Sequence, residues 1–597
     1  RFRPSEENTV STSSDSFAHL HVHTEYSMLD GAAKIRGLID EVARLEMPAV
    51  GMTDHGSMFG AYEFWRTATS AGINPVLGVE AYLTPGTHRS DKSRVRWGNG
   101  GEDDVSGSGA YTHLTLLAET TGGMHNLFRM SSLASLEGYY FKPRMDRDLL
   151  AQYASGVIAT TGCPSSEVQT RLRLGQYDEA VKAASEFRDI FGKDNYFVEL
   201  MDHGLGIEKR VMADLVRISK DLGIPLAATN DLHYTREEDA SAHEALLCVQ
   251  SGSTLDDPKR FKFDSQEFYV KSAAQMRALF AEFPEACDNT LLIASRSNVA
   301  FDETANYMPR FPVPEGHTEA SFFAQEVQLG LAKRYPHGIS TVVQQRADFE
   351  IGVITQMGFA SYFLVVSDFI NWAKERGIRV GPGRGSGAGS MAAFAMRITE
   401  LDPLEHGLLF ERFLNPDRVS MPDFDVDFDE RRRGEVIRYV TEQYGEDRVA
   451  QIVTFGTIKA KQALKDSARV LGYPFGMGEK LTKVMPAGVM GKEMSLDGIV
   501  DKSHERYKEA ADFRALLESD PDAQTVFDRA RGLENLKRQW GVHAAGVIMS
   551  SDPLLDIIPI MRRELDGQVV TQFDFPSCEA LGLVKMDFLS LRNLTII

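Results

Sequence analysis

Long apolar runs are the first thing this sequence lacks. No stretch approaches the roughly 18 consecutive apolar residues that a membrane helix needs. The amino end, RFRPSEENTVSTSSDS, holds no apolar segment of signal-peptide type. Neither a membrane span nor secretion is predicted, and the sequence reads as cytosolic. Cysteine is scarce: only Cys163, Cys248, Cys287 and Cys578 occur, with no CxxC spacing, which argues against a disulfide framework or a zinc ribbon. Positive charge is in deficit, 65 Lys and Arg against 85 Asp and Glu for a net charge of −20. A wholly basic nucleic-acid coat protein is excluded, although local basic grooves are not. What is present is ordinary for a globular chain, 25% charged and 43% hydrophobic over 597 residues, enough for several domains at about 150 residues each. Histidine is uneven, ten of the fifteen lying at or before His243, which marks that region for a metal or acid-base site.

Along the chain, 17–295 alternates short apolar runs with amphipathic helices (MPAVGMTD, then GAYEFWRTATSAG, then INPVLGVEAYL), a β-α-β rhythm. The Gly-, Ser- and charge-rich segment 86–110 is expected to be a mobile excursion between two strands. The aperiodic, proline-bearing stretch around 297–319 reads as a linker into a second unit. There, helices near 320–335 and 341–357, a glycine-rich loop and strands at 421–429 and 580–588 are expected, with a mostly helical insert over about 436–540. The chain stops directly after an apolar run, which is expected of part of a longer polypeptide.

Two constellations carry chemistry. In HLHVHTEYSMLDG, His21 and His23 are one residue apart, so on a strand both imidazoles leave the same face, and His19 shares that parity. Further polar residues end apolar runs: Asp54 and His55 in GMTDHG, Glu80 in VLGVEAY, His113 in YTHLTLLA, Cys163 in VIATTGC, and Asp231 with His233 in PLAATNDLHY. In a parallel α/β barrel or sheet, such strand ends converge on one site. Mixed His, Asp, Glu and Cys ligands suit zinc or manganese, and more than four of them imply several ions.

The motifs HLHVH…LDG, TDHG, GVE, TGC and NDLH, in that order, resemble the polymerase and histidinol phosphatase (PHP) domain over roughly 17–290. The resemblance implies a metal cluster of His21, His23, Asp30, His55, Glu80, His113, Cys163, Asp231 and His233, holding up to three Zn2+ or Mn2+ ions and hydrolysing a phosphate ester. Some relatives keep the domain only as a scaffold, and all nine positions here hold a ligand-competent residue.

The second constellation begins with GPGRGSGAGS, residues 381–390, between RGIRV and MAAFAM. It reads as strand, loop, helix. Glycines let backbone N–H groups approach phosphate oxygens, the helix amino end favours anions, and Arg384 and Ser386 add donors. In PDFDVDFDE, Asp423, Asp425, Asp427 and Asp429 alternate with apolar residues and so share a face. Carboxylates in line repel unless cations neutralise them. In LVKMDFLSL, Lys585 and Asp587 likewise share a face. Two acids on one strand and one on a neighbour can hold two Mg2+ ions, the arrangement for nucleotidyl transfer.

GPGRGSGAGS, SMPDFDVDF, QIVTFGTIKAKQALKD, GVHAAGV and VKMDFLSLRNLTII resemble the bacterial replicative DNA polymerase III alpha family, and with the PHP motifs the likeness spans nearly the whole chain. It implies a multidomain α/β fold: a disordered segment over 1–16, a PHP-type (β/α)7-like barrel over 17–295, and a DNA polymerase beta-like nucleotidyltransferase palm over 296–435 and 541–597 with an inserted helical thumb over 436–540. It further implies Asp425, Asp427 and Asp587 as catalytic acids, Arg384, Gly385 and Ser386 as the nucleotide-phosphate loop, and Lys585, Arg412 and Arg418 near the nucleotide. Asp423 and Asp429 stay open as supporting acids. Lys459, Lys461, Lys465, Arg469, Arg531, Lys537 and Arg538 are thumb residues for duplex phosphates. Primer-template DNA and dNTPs are the implied substrates. The sliding clamp and clamp loader are implied partners through a carboxyl-terminal part beyond Ile597, in a cytoplasmic, nucleoid-associated setting. The expected activity is template-directed DNA polymerisation with a 3′–5′ proofreading exonuclease in the PHP domain. The alternatives are a PHP scaffold with proofreading by a partner, and a stand-alone PHP phosphoesterase.

Overall fold

The structure, a computed structural model, describes residues 15–28, 30–416 and 421–597. The expected disorder over 1–16 falls, but for Asp15 and Ser16, outside the described residues, as does Arg418. The chain divides into two compact units, one of 1–301 with 455–541 and the other of 302–454 with 542–597. The insert expected over 436–540 is thus split: the helix Arg433–Tyr444 lies in the second unit and the helices after 455 lie in the first.

The first unit is built on a sheet of seven strands, β1 (Ala49–Met52), β2 (Asn74–Leu83), β3 (Thr112–Ala118), β4 (Arg144–Met145), β5 (Val157–Thr160), β6 (Tyr196–Leu200) and β7 (Leu226–Ala228), in the order β1-β2-β3-β5-β6-β7 with β4 beside β2. The extended segment 17–24 bridges Val50 through His19 and Leu232 through Val22, so the curled sheet is joined to itself along that line. The strands are largely apolar and almost wholly buried, as expected where helices cover a sheet, with Glu80, His113 and Glu199 among the polar exceptions. One correction concerns direction. β3 runs antiparallel to both β2 and β5, and the all-parallel expectation fails there because period-two patterning carries no information about strand direction. Reversal brings the first turn of β3, not its last, to the rim where the parallel strands end. The excursion 86–110 is also less free than expected. The Asp104 carboxylate accepts the N–H groups of Trp97, Gly98, Gly100 and Val105, and Arg171 lies over the Trp97 ring at 3.7 Å.

Residues 455–541 add helices to this unit. Ile458, Leu464, Leu481, Phe513, Val526, Phe527 and Leu533 form one buried core with Ala245, Leu246, Cys248 and Val249 of the helix Ala240–Ser251.

The second unit carries a six-stranded sheet, β8 (Asp425–Phe428), β9 (Val449–Thr457), β10 (Lys537–Met549), β11 (Ile560–Arg562), β12 (Val569–Thr571) and β13 (Val584–Ser590), ordered β11-β12-β9-β10-β13-β8. β13 and β8 are parallel neighbours, while β10 and β13 are antiparallel. The helices Glu319–Arg334 and Thr341–Gln356 fall where their periodicity places them, and together with the helix Ala360–Glu375 they pack Phe323, Ala347, Phe363 and Phe369 into the same core as Phe424, Val426, Phe428, Met586 and Phe588. The strand expected at 376–380 is reduced to one bridge, Val380 to Phe428, because the glycine loop begins at once. Among the described residues no single helix is long and apolar enough to cross a membrane.

Candidate functional site

The first site is assembled at one rim of the first unit's sheet. Segment 17–24 supplies His21 and His23, whose side chains are fully buried. Glu80 stands near the end of β2 and His113 is the second residue of β3, placed beside it by the reversed strand direction. Asp231 follows β7 with a φ of +40°, the left-handed region that non-glycine residues rarely enter and that clusters at functional sites. The structure brings all nine expected ligands together. His55 Nδ1 is 2.8 Å from Glu80 and His55 Nε2 is 3.2 Å from Asp30. His113 Nδ1 is 2.9 Å from Glu80 and 3.4 Å from Cys163 Sγ. Asp231 Oδ1 lies 3.3 Å from His21 Nε2 and 3.2 Å from His23 Nε2, and His233 Nε2 is 4.0 Å from Asp30.

The donor atoms form three groups, His23–His55–His233, His21–His23–Asp231 and His55–Glu80–His113, each within 4.8 Å of one another. Five buried donors there, His21 Nε2, His23 Nε2, His55 Nδ1, Asp30 Oδ1 and Asp231 Oδ1, have no hydrogen-bond partner. Buried polar atoms are rarely left so. Buried ligand atoms drawn this close together without hydrogen bonds to satisfy them are what a multinuclear metal site requires, and the residues fit it.

The electrostatics agree. Burial opposes charge on His21 and His55, yet Glu199 and Asp231 for the first and Asp30 and Glu80 for the second hold both imidazoles well above their usual range. Burial would raise Glu80 and Asp231, and the surrounding histidines pull both well below. His23 is pushed down to about 3 by burial and by the neighbouring charges of His55 and His233. A pocket that stabilises positive charge among buried carboxylates also stabilises divalent cations.

Sequence reasoning missed the residues behind the ligands. Glu199 accepts from His21 Nδ1 at 2.7 Å and from Thr229 at 2.6 Å, fixing which ring nitrogen faces the cluster. Its only signal was a lone acid inside the apolar YFVEL. Ser27 contacts His23 Nδ1 at 3.0 Å, and His243 Nε2 donates to the Asp30 carbonyl at 2.8 Å. Asp54 turns inward, accepting from Thr24 and Ser27, and burial raises it to about 6.

The second site lies on the second unit's sheet. Asp587 of β13 and Asp425 of β8 are register partners, and Asp427 is two residues further on β8. The glycine loop lies against them. Gly381 N–H donates to the Asp427 carbonyl at 2.8 Å, and a side chain at Gly381 would meet the Asp427 Cβ at 3.1 Å. Arg384 spans the two acids of β8, 3.3 Å from Asp425 and 3.1 Å from Asp427. Lys585 Nζ is 2.7 Å from Asp587 and 3.6 Å from Asp423. Burial works against the Lys585 charge, and these two acids raise it above its usual range. Asp587 Oδ1 is buried without a partner, so this donor set also fits divalent metal. Gly385 and Ser386 lie exposed at the loop tip. Asp429 faces elsewhere, accepting from Thr595 at 2.7 Å and from the Arg431 N–H. Arg412 is exposed on the turn Phe410–Arg412 and, among the described residues, forms no ion pair with the acids.

One expectation needs correction. The helix after the glycine loop, Met391–Ala395, does not offer its amino end to a ligand, because Glu350 fills it. The Glu350 carboxylate accepts from Ser390 Oγ at 2.8 Å, Met391 N–H at 2.9 Å and Ala392 N–H at 3.0 Å. Most basic groups assigned to duplex phosphates also have partners. Lys465 pairs with Glu479 at 2.6 Å, Lys461 with Glu493 at 3.5 Å, Arg531 with Asp497 at 2.7 Å and Arg538 with Asp466 at 3.3 Å. Arg469 donates to the carbonyls of Gly252 and Ser253, and Lys537 stands over the Tyr26 ring.

Residues 19–203 match the PHP domain, and residues 321–590 match the bacterial DNA polymerase III alpha NTPase domain. The chain is 58% identical over 595 residues to the DNA polymerase III subunit alpha of Mycobacterium tuberculosis, covering 98% of this chain and 50% of that protein. It is 43% identical over 642 residues to the subunit of the same name from Thermus aquaticus, covering 97% and 51%. The chain thus spans about half the length of the curated relatives it matches.

Proposed function

We infer that a chain that carries a PHP domain followed by the bacterial DNA polymerase III alpha domain, and matches DNA polymerase III alpha subunits over 98% of its length, belongs to that family. From that premise we propose that it supplies two metal-dependent sites of opposite purpose to a template-directed replicative DNA polymerase. The observation that carries the first is the register pairing of Asp587 with Asp425 beneath the glycine loop. In this reading 302–454 and 542–597 hold the palm, and the helices over 455–541 serve as thumb. Asp425, Asp427 and Asp587 would hold two Mg2+ ions, whose chemistry is to neutralise charge at the phosphates and activate a hydroxyl. The primer 3′ oxygen bonds to the α-phosphorus of a dNTP, the bond from that phosphorus to pyrophosphate breaks, and the hydroxyl proton leaves. Arg384, half-exposed at the loop, and the N–H groups near Gly385 and Ser386 bind the triphosphate, since Glu350 has closed the helix end. Lys585 orients Asp587 through its 2.7 Å contact and contacts nucleotide or primer end. Arg412 and Arg418 remain proposals for the same nucleotide.

The second site is a 3′–5′ exonuclease. The nine PHP residues would hold up to three Zn2+ or Mn2+ ions, which activate water and neutralise a phosphodiester. Water oxygen bonds to phosphorus, the bond from phosphorus to the penultimate 3′ oxygen breaks, that oxygen takes a proton, and a nucleoside 5′-monophosphate leaves. The intact ligand set with its inward-facing buried donors supports hydrolysis over a scaffold role.

The polymerase assignment is tested in the full-length protein by single-turnover extension of a paired primer. Asp425→Asn and Asp587→Asn each lower the rate by about 10³-fold or more, the scale of losing preorganised charge stabilisation at a transition state. Extension within tenfold of wild type in either variant would overturn it.

A further inference from the structure

The candidate metal ligands Asp30, His55, Glu80, His113, Cys163, Asp231 and His233 line one open cleft. They form the floor of this cleft, which holds about 940 Å³ in the first unit, large for a phosphate group alone and within the range of a drug-sized ligand. Three cations line it, and they differ. Arg210 is held by Asp103 at 2.9 Å and Lys262 by Asp264 at 3.2 Å. Lys142, beside Asp30, His55 and Tyr82, has no ion pair among the described residues, and its ammonium stands over the Tyr82 ring at 5.3 Å. An ammonium left on an aromatic face at the edge of a phosphate-ester site is available to an anionic oxygen.

An aromatic ladder climbs from the same floor. Phe263 meets the His233 ring edge-on at 4.7 Å, and Phe261 meets Phe263 at 5.9 Å. Phe261 lines the cleft yet is 59% exposed. The irregular stretch carrying these rings is tied on both sides, by Arg260 to Glu244 and the Leu255 carbonyl and by Ser265 to the His203 carbonyl at 2.9 Å. A large apolar ring held out in a polar cleft, two ring contacts from a metal ligand, offers one face to a flat ligand. Every nucleobase has such a face once unpaired, and stacking on it does not depend on sequence.

We infer that this cleft takes the unpaired 3′-terminal nucleotide of a single strand, its base stacked on Phe261 and the phosphodiester oxygen next to the cluster bound by Lys142. The inference rests on the exonuclease reading for its reaction and on the cleft alone for its ligand. It explains how a site could prefer a frayed, mismatched end, since a paired terminal base has no free face to stack.

The test uses full-length, manganese-loaded protein and a single-stranded oligonucleotide with 2-aminopurine at its 3′ end and a hydrolysis-resistant phosphorothioate as its last linkage. Stacking quenches the fluorescence. The quench is expected in wild type and lost in Phe261→Ala, with Kd weakened about tenfold, within the range for one base–aromatic stack. Lys142→Met keeps the quench and flattens the log Kd against log salt slope by about 0.7, the value for one phosphate of a single strand. An unchanged quench and Kd in Phe261→Ala overturn the stacking site, and an unchanged salt slope in Lys142→Met overturns the phosphate contact. A wild type that quenches but does not shorten the same strand carrying an ordinary phosphodiester as its last linkage keeps the site and removes the exonuclease reading instead.

Discussion

Among single residues, Glu350 reaches furthest from where sequence patterning would place it. It lies inside the helix Thr341–Gln356 and is fully buried. Arg346, one turn before it, binds its carboxylate at 2.6 Å and donates to the Gly389 carbonyl at 3.0 Å, so the pair grips both ends of the turn from loop to helix. Burial raises the Glu350 carboxyl above its usual range against the bonds that hold it charged, a sign of how much those bonds offset. Removing one partner of a buried pair costs about 3–5 kcal/mol. Glu350→Ala is therefore expected to lose about that much in chemical denaturation of the second unit. Glu350→Gln, which keeps an acceptor for the two N–H groups, should lose less. A loss below about 1 kcal/mol in the alanine variant would show that the carboxylate does not anchor the loop.

At the scale of elements, the segment 17–24 does two jobs, and His19 shows the conflict between them. It alternates candidate ligands and core residues, and His19 shares the parity of His21 and His23 but lies outside the groups of possible metal donors. There its Nε2 donates to the Lys271 carbonyl at 2.8 Å while Phe17 packs edge-on. Burial, with the Lys271 charge adding to it and the carbonyl bond opposing, pushes His19 down to about 4. A histidine depressed in the folded state binds fewer protons than in the unfolded one. Its stability contribution is therefore complete above about pH 6.5 and is lost as pH falls toward 4. From pH 7 to 4 the wild type should lose about 3 kcal/mol more than His19→Gln, measured by denaturant melts at each pH. Equal losses would mean that His19 stays neutral in neither state or in both. Legibility also divides at this scale. Period-two runs revealed the acid strands β8 and β13 and the His21–His23 pair, because alternation is written in residue types. The reversal of β3 and the closure of the Met391–Ala395 helix end by Glu350 were not legible. Both depend on a partner distant in sequence, and neither leaves a local pattern.

For the whole molecule, the division of labour matters more than any single contact. The nine residues proposed as PHP ligands and the three acids Asp425, Asp427 and Asp587 belong to different compact units. The helices expected as an insert of the palm share a hydrophobic core with the helix Ala240–Ser251 of the first unit, from which His243 holds the Asp30 carbonyl. Composition patterning located those helices but could not tell which core they join, since the apolar stripe of an amphipathic helix does not name its partner. The account stands on two separable sites, and one comparison tests that most directly. Full-length wild type and Asp231→Asn are given a mismatched primer–template with divalent metal, and primer shortening and extension of a paired primer are followed in parallel. The account predicts that Asp231→Asn abolishes shortening and leaves extension intact. Shortening that survives unchanged in the variant would contradict it and make the PHP cluster a scaffold.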